Sequence, residues 1–242
     1  MRYSIALIGL LILVSCTTAK IKGAAYKLSS SNVEIGSIGF SKATIVKNDF
    51  ETHALPILNN KLRVEINILP FNKRSNKIYK EKAKYNQSQS KIQFSDSLDI
   101  KPEFVVLTIF DINGFVNEIN DTQNKEVIEF LKKTEKAKIT TSIVTTISPE
   151  NILKIKQADT YYIVNNQESK YVLNLFKANK KIESIDLQSG EVLGYKLSKC
   201  CWSVDNRGKW YLADLVDENT SCKGKTEQKI KQRKTTKNLY KM

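Results

Sequence analysis

At 242 residues, with 41% apolar and 26% charged side chains, the chain is long enough to bury its own core and too apolar for a disordered polymer. Its 39 Lys+Arg against 25 Asp+Glu give a net charge of +14, and its single histidine argues against histidine-built metal centres and His-based relays. Lys outnumbers Arg by 34 to 5, which disfavours base readout by arginine forks, so no nucleic-acid partner is expected.

The chain opens with Met1-Arg2-Tyr3-Ser4 and then an apolar run from Ile5 to Val14. Ten residues of helix span about 15 Å, half of a ~30 Å hydrocarbon core, so the run predicts a secretory signal rather than a transmembrane helix. The next residues carry a resemblance. Leu13-Val14-Ser15-Cys16 resembles the lipobox of bacterial membrane-anchored lipoproteins: an aliphatic residue, a tolerated second one, a small third one, then cysteine. The resemblance implies that residues 1–15 are a signal peptide cut just before Cys16. It further implies that the Cys16 sulfur receives a diacylglycerol and that the new amino terminus is acylated. Each buried methylene contributes about 0.8 kcal/mol and two chains make a stable anchor, so three give firm attachment. Thr17, not Asp, follows the cysteine, which by the same resemblance implies the outer membrane, facing the periplasm. The likeness is confined to these sixteen residues.

Residues 16–32, small, polar and basic, predict a tether. Between 33 and 157 a β-rich segment with one or two helices is expected. Phe40–Val46 is one candidate strand. Leu62, Val64, Ile66 and Ile68 alternate with polar residues, and Pro70 ends that run, the period of a half-buried strand. Residues 71–90 lack a sustained apolar face and predict a long exposed loop with at most a helical turn or two. Asn113-Gly114 between Ile112 and Phe115 predicts a two-residue hairpin turn. A calcium loop at Asp111 is excluded because its glycine comes two positions early and no Glu occupies position twelve. A helix is expected over Asn124–Lys136, capped by Asp121 or Thr122, then a strand over Ile139–Ile147. Ser148-Pro149-Glu150 announces another short helix.

From 158 to 222 the turn signals recur every 10–18 residues and predict an antiparallel meander: Tyr161–Val164, Tyr171–Phe176, Ile182–Leu187, Val192–Leu197, Trp202–Val204 and Trp210–Leu215. This segment either forms one domain with the preceding one or stands apart. The fold class is α+β and β-dominated, with antiparallel sheets and one or two short helices packed on a sheet. Cys200, Cys201 and Cys222 remain for an oxidising compartment. Leu193, Tyr195 and Leu197 place the inward set on odd numbers whereas Trp202 and Val204 are even, so a bulge near Ser198-Lys199 is expected to switch the phase. Cys201 then faces outward to meet Cys222; Cys200–Cys222 is the alternative pairing.

Charge is segmental. The basic tail, residues 223–242, holds Lys223, Lys225, Lys229, Lys231, Arg233, Lys234, Lys237 and Lys241 against Glu227, and a second basic run spans Lys73 to Lys84. Such runs suit an anionic surface, and the tail, poor in apolar residues, is expected to extend beyond the body. No phosphate-cradling glycine loop, Gly-x-Ser-x-Gly or Cys-x-x-Cys is present, so no metal, cofactor or catalytic residue is indicated. His53 is expected in an exposed turn. Ser88-Gln89-Ser90-Lys91 fits Ser-x-x-Lys without a companion motif. Two functions stay open. One is a lipid-anchored envelope protein that binds or scaffolds, its basic segments meeting anionic lipid, lipopolysaccharide or cell-wall polymer, with envelope proteins as further partners. The other is an envelope glycan hydrolase using paired carboxylates.

Overall fold

The computed structural model describes residues 18–21, 23–28, 32–43, 48–83 and 92–230. Their strands are β1 (Thr18–Ile21), β2 (Ala24–Lys27), β3 (Ile38–Ala43), β4 (Asn48–Ala54), β5 (Leu62–Pro70), β6 (Glu103–Ile109), β7 (Lys138–Thr145), β8 (Thr160–Asn165), β9 (Tyr171–Lys177), β10 (Lys180–Asp186), β11 (Val192–Val204) and β12 (Trp210–Asp217). The helices are α1 (Lys73–Ala83), α2 (Ile112–Asn120), α3 (Lys125–Lys133) and α4 (Pro149–Gln157). All strands join one sheet in the order β1-β2-β11-β7-β6-β5-β8-β9-β10, with β12 on β11 and the β3–β4 pair on β7. Every pairing is antiparallel. The fold is α+β and β-dominated, with four short helices, and strands from both halves of the chain share the sheet.

Period-two alternation divides the sheet into two faces. The inner face sets Leu62, Val64, Leu107, Ile143, Ile163, Leu173 and Leu175 against Phe115 and Ile119 of α2, Leu131 of α3 and Ile155 of α4. Val33, Ile35 and Ile38 enter the same core. There Gly36, at φ +81°, brings the backbone against the Tyr171 ring, a left-handed position that favours glycine. Among the described residues the outer face is covered over β11, β7, β6 and the Leu69 end of β5. There Tyr26 of β2 and Tyr79 of α1 pack with Phe71, Phe104, Val106, Val144 and Leu193.

Several expectations need correction. Residues 18–21 and 24–27, read as part of the tether, form the antiparallel β1–β2 pair, with Thr18 opposite Lys27. The exposed loop at 71–90 contains α1, whose start is fixed locally: Asn72 Oδ1 accepts from Ser75 N at 2.9 Å and Ser75 Oγ accepts from Asn72 N at 2.8 Å. Asn113-Gly114 makes no hairpin. Asp111 caps α2, its Oδ1 accepting from Gly114 N at 2.8 Å, and Phe115, Val116 and Ile119 at helical spacing bury in the inner core. That burial overrides the local turn preference. His53 lies within β4, not in a turn. Two separate strands over 192–204 are one, β11. Its core-facing residues pass from Tyr195 and Leu197 to Cys200 and Trp202, while the register shifts lie at Lys196/Leu197 against β7 and Cys201/Trp202 against β12. The Ser-x-x-Lys at 88–91 and the far half of the candidate strand at 40–46 lie outside the described residues.

Candidate functional site

The second half of the outer face has no layer over it among the described residues. On β5 the residues turned away from the core are Arg63, Glu65 and Asn67; on β8 they are Tyr162 and Val164; on β9, Val172, Asn174 and Phe176. Arg63 stands directly across from Tyr162 in the β5–β8 register, and Tyr162 meets Phe176 edge to face at 5.2 Å between ring centroids. Lys61, just before β5, holds its ammonium 4.5 Å from the Tyr162 centroid and 4.8 Å from that of Phe176. The Arg63 guanidinium lies 4.9 Å from the centroid of Phe110, an exposed ring at the end of β6 (57% accessible). Neither cation makes an ion pair with a carboxylate among the described residues. They rest on aromatic faces, an attraction that leaves the positive charge free to meet an anion.

Beside Arg63 and Phe110 the strip runs into an open groove of about 430 Å³, where Asp111 and Asp214 also lie. Each carboxylate already accepts a backbone N–H: Asp111 from Gly114, and Asp214 from Leu215 at 2.7 Å. Asn174 Oδ1 accepts from Ser184 Oγ at 2.6 Å, so the polar floor next to Phe176 is held in place.

The residues singled out in the sequence lie elsewhere. Cys16 falls outside the described residues. Cys201 and Cys222 are joined by a disulfide, with Cα atoms 5.6 Å apart, the first of the two pairings weighed. Cys200 is buried and free, and burial pushes its thiol up to about 12. Of the tail, Lys223, Lys225 and Lys229 are described and exposed; Lys231, Arg233, Lys234, Lys237 and Lys241 lie outside the described residues. Residues 223–230 do not extend away from the body. Glu227 forms a two-bond bridge with Trp202, at 2.7 and 2.8 Å, on the edge of β11 that β7 leaves open. Lys229 pairs with Glu135 at 2.8 Å, and Ile230 packs on the inner core. The disulfide and this bridge supply the ordering that so few apolar residues could not. There Lys136, Lys138 and Lys229 line another groove of about 430 Å³ with Glu135 and Glu218, and burial lowers the Lys138 ammonium, with Lys199 and Lys27 adding to that against the opposing pull of Glu218.

The cation–aromatic strip escaped the sequence reading because Lys61, Phe110, Tyr162 and Phe176 are far apart in the chain. The only local trace is the polar half of the alternation Lys61-Leu62-Arg63-Val64-Glu65. Among the described residues no group of three or more His, Cys, Asp or Glu side chains is placed to hold a metal ion. No protein-family model, curated protein or solved structure matches the chain.

Proposed function

We propose that this chain is a lipid-anchored protein of the cell envelope that acts by binding or scaffolding. It presents the open half of its sheet to an anionic envelope polymer, lipopolysaccharide or a charged cell-wall glycan. The observation that carries this reading is the strip of Lys61, Arg63, Tyr162, Phe176 and Phe110, with two cations seated on ring faces and without a carboxylate partner among the described residues. Phe110 offers an exposed ring to a sugar face, while Lys61, seated on the half-buried Tyr162 and Phe176 rings, and Arg63 attract phosphate or carboxylate. The basic residues from Lys231 onward add screened attraction to the same class of polymer. Anchoring rests on the resemblance at Leu13–Cys16, outer-membrane residence on Thr17. Hydrolysis by a carboxylate pair has two footholds, the groove of Asp111 and Asp214 and that of Glu135 and Glu218; the backbone bonds of the first pair and the ion pairs of the second with Lys229 and Lys27 engage all four carboxylates, so binding is preferred.

The test uses the chain from Thr17 onward, which keeps every described residue. Titrated with lipopolysaccharide, charged wall glycan and a neutral glycan, it should prefer the charged polymers and weaken with salt. Lys61→Ala with Tyr162→Ala should lose about tenfold, the loss of one desolvated cation–aromatic contact. Equal affinity for the neutral glycan, or no effect of the double substitution, would refute the reading. For the anchor, Cys16→Ala in the full chain should abolish lipid labelling and membrane fractionation; persistence of both would end the lipobox assignment.

A further inference from the structure

We propose that the outward face of α1, together with the groove it forms against β1, is the surface that lies on anionic lipid headgroups. This rests on the reading that Cys16 carries the lipid. Thr18, the first residue of β1, comes two positions after Cys16, and two residues reach at most about 7 Å. The anchor therefore has almost no slack: the membrane surface must lie close to the start of β1. α1 is fastened to that same point, with Arg74 Nη2 donating to Thr18 O at 2.9 Å.

The helix turns Ser75, Tyr79 and Lys82 inward and leaves Lys73, Arg74, Lys77 and Lys80 exposed. Between α1 and β1 runs a groove of about 250 Å³, with Lys20 and Arg74 among its polar residues and Ile21, Leu69 and Phe104 among its apolar ones. Lys20, Lys73, Arg74, Lys77 and Lys80 bring five positive charges to this side. Among the described residues the carboxylates paired with them are Asp96, 2.9 Å from Lys73, and Glu81, 3.9 Å from Lys77, so that among those residues Lys20, Arg74 and Lys80 face no paired carboxylate. A surface tethered within about 7 Å holds charges of this kind inside the ~8 Å screening length, where anionic headgroups attract them.

The described part of the basic tail is placed differently. Thr18 pairs with Lys27, and Lys27 with Tyr195 of β11, whereas the tail meets β11 at Trp202. Seven residues of strand separate the two levels by about 23 Å, well beyond the screening length; Lys229 alone turns back from that level and shares a groove with Glu218, the carboxylate that holds Lys27 at 2.6 Å.

The experiment uses the unlipidated chain from Thr17 onward and vesicles of phosphatidylcholine with and without phosphatidylglycerol. The parent should bind only the anionic vesicles. Each lysine near such a surface contributes about a fivefold factor, so Lys20→Gln/Lys77→Gln/Lys80→Gln should lose roughly 100-fold. The charge-keeping Lys20→Arg/Lys77→Arg/Lys80→Arg should bind like the parent, and Lys223→Gln/Lys225→Gln, at the Trp202 end of β11, should stay within about threefold of it. A loss from the tail pair equal to that from the glutamine triple, a loss from the tail pair alone, or binding indifferent to phosphatidylglycerol would overturn the proposal. Because no lipid is attached here, failure of this assay and failure of the Cys16→Ala test are read separately.

Discussion

Removing the Cys201–Cys222 bond, as Cys201→Ala/Cys222→Ala, measures how much the cross-link holds. The two cysteines are 21 residues apart in sequence. Closing a loop of that length removes about 11 cal/mol/K from the unfolded chain, or about 3.3 kcal/mol at 25 °C. For a protein of this size each kcal/mol moves the melting temperature by about 2–4 °C, so the double variant should melt about 7–13 °C below the parent. The assay is a thermal melt of the chain from Thr17 onward, with and without reductant. Reductant should bring the parent down to the variant and leave the variant where it is. Cys200, then the sole thiol, is buried and poorly ionised, with its pKa pushed up to about 12, so iodoacetamide should label it only after unfolding. A variant melting within about 2 °C of the parent, or reductant lowering both alike, would refute the cross-link as the restraint on the C-terminal segment.

Two further substitutions probe the body. Burial pushes the Lys82 ammonium down to about 8, against partial opposition from Glu191 and Asp49, while the unfolded chain keeps that proton up to about 10.5. Taken alone, Lys82 therefore adds up to about 3 kcal/mol of stability as pH climbs from 8 to 10.5, its full penalty being present below 8, while the Cys200 thiol, held up to about 12 against an ordinary 9.0, takes stability away above pH 9. The readout is the difference between Lys82→Met and the parent in denaturant melts: the variant's advantage below pH 8, less what is lost with the bond from Nζ to Val192 O, should shrink as pH climbs to 10.5; a difference that stays constant across the window refutes the assignment. At Gly36 an added Cβ would sit 2.6 Å from the Tyr171 ring, whose hydroxyl donates to Pro56 O at 2.6 Å. Gly36→Ala should cost about 2–4 kcal/mol, and Gly23→Ala, at φ +78° with nothing within 4 Å, only about 1 kcal/mol. Equal losses at both glycines would show that crowding against Tyr171 is not the cause.

What the sequence disclosed follows the range of each signal. The alternation at Leu62–Ile68 and the turn-separated runs after Asp159 are local, and they appear as β5 and β8–β10. Ser148 caps α4 ahead of Pro149, as its chemistry requires. Asn113-Gly114 misled because Asp111 has two local uses, turn former and helix cap, and burial of Phe115 and Ile119 decided between them. α1 was hidden by its charge: only Ile78 and Tyr79 mark an apolar side, and the layer it covers comes from residues as distant as Leu193. The parity break between Tyr195 and Trp202 was readable and placed Cys200 with the core and Cys201 on the other side, where Cys222 covers it. The cation–aromatic strip was not readable, because it exists only once β5, β8 and β9 are side by side.

β11 also sets the order in which the protein can be completed. It pairs with β2, β7 and β12, and at Trp202 with Glu227, yet it begins only at Val192. A chain made from its N-terminus shows β2 and most of β7 with one side unpaired until residues 192–204 arrive. Contacts between partners 47 to 168 residues apart, from Val192↔Thr145 to Tyr195↔Lys27, must form late and slowly. Until then the N-terminal three-quarters remains an open-edged, loosely joined chain that needs protection from edge-to-edge association. The last fifth of the sequence thus acts as a clasp, closing the body only after nearly all of the chain before it is present.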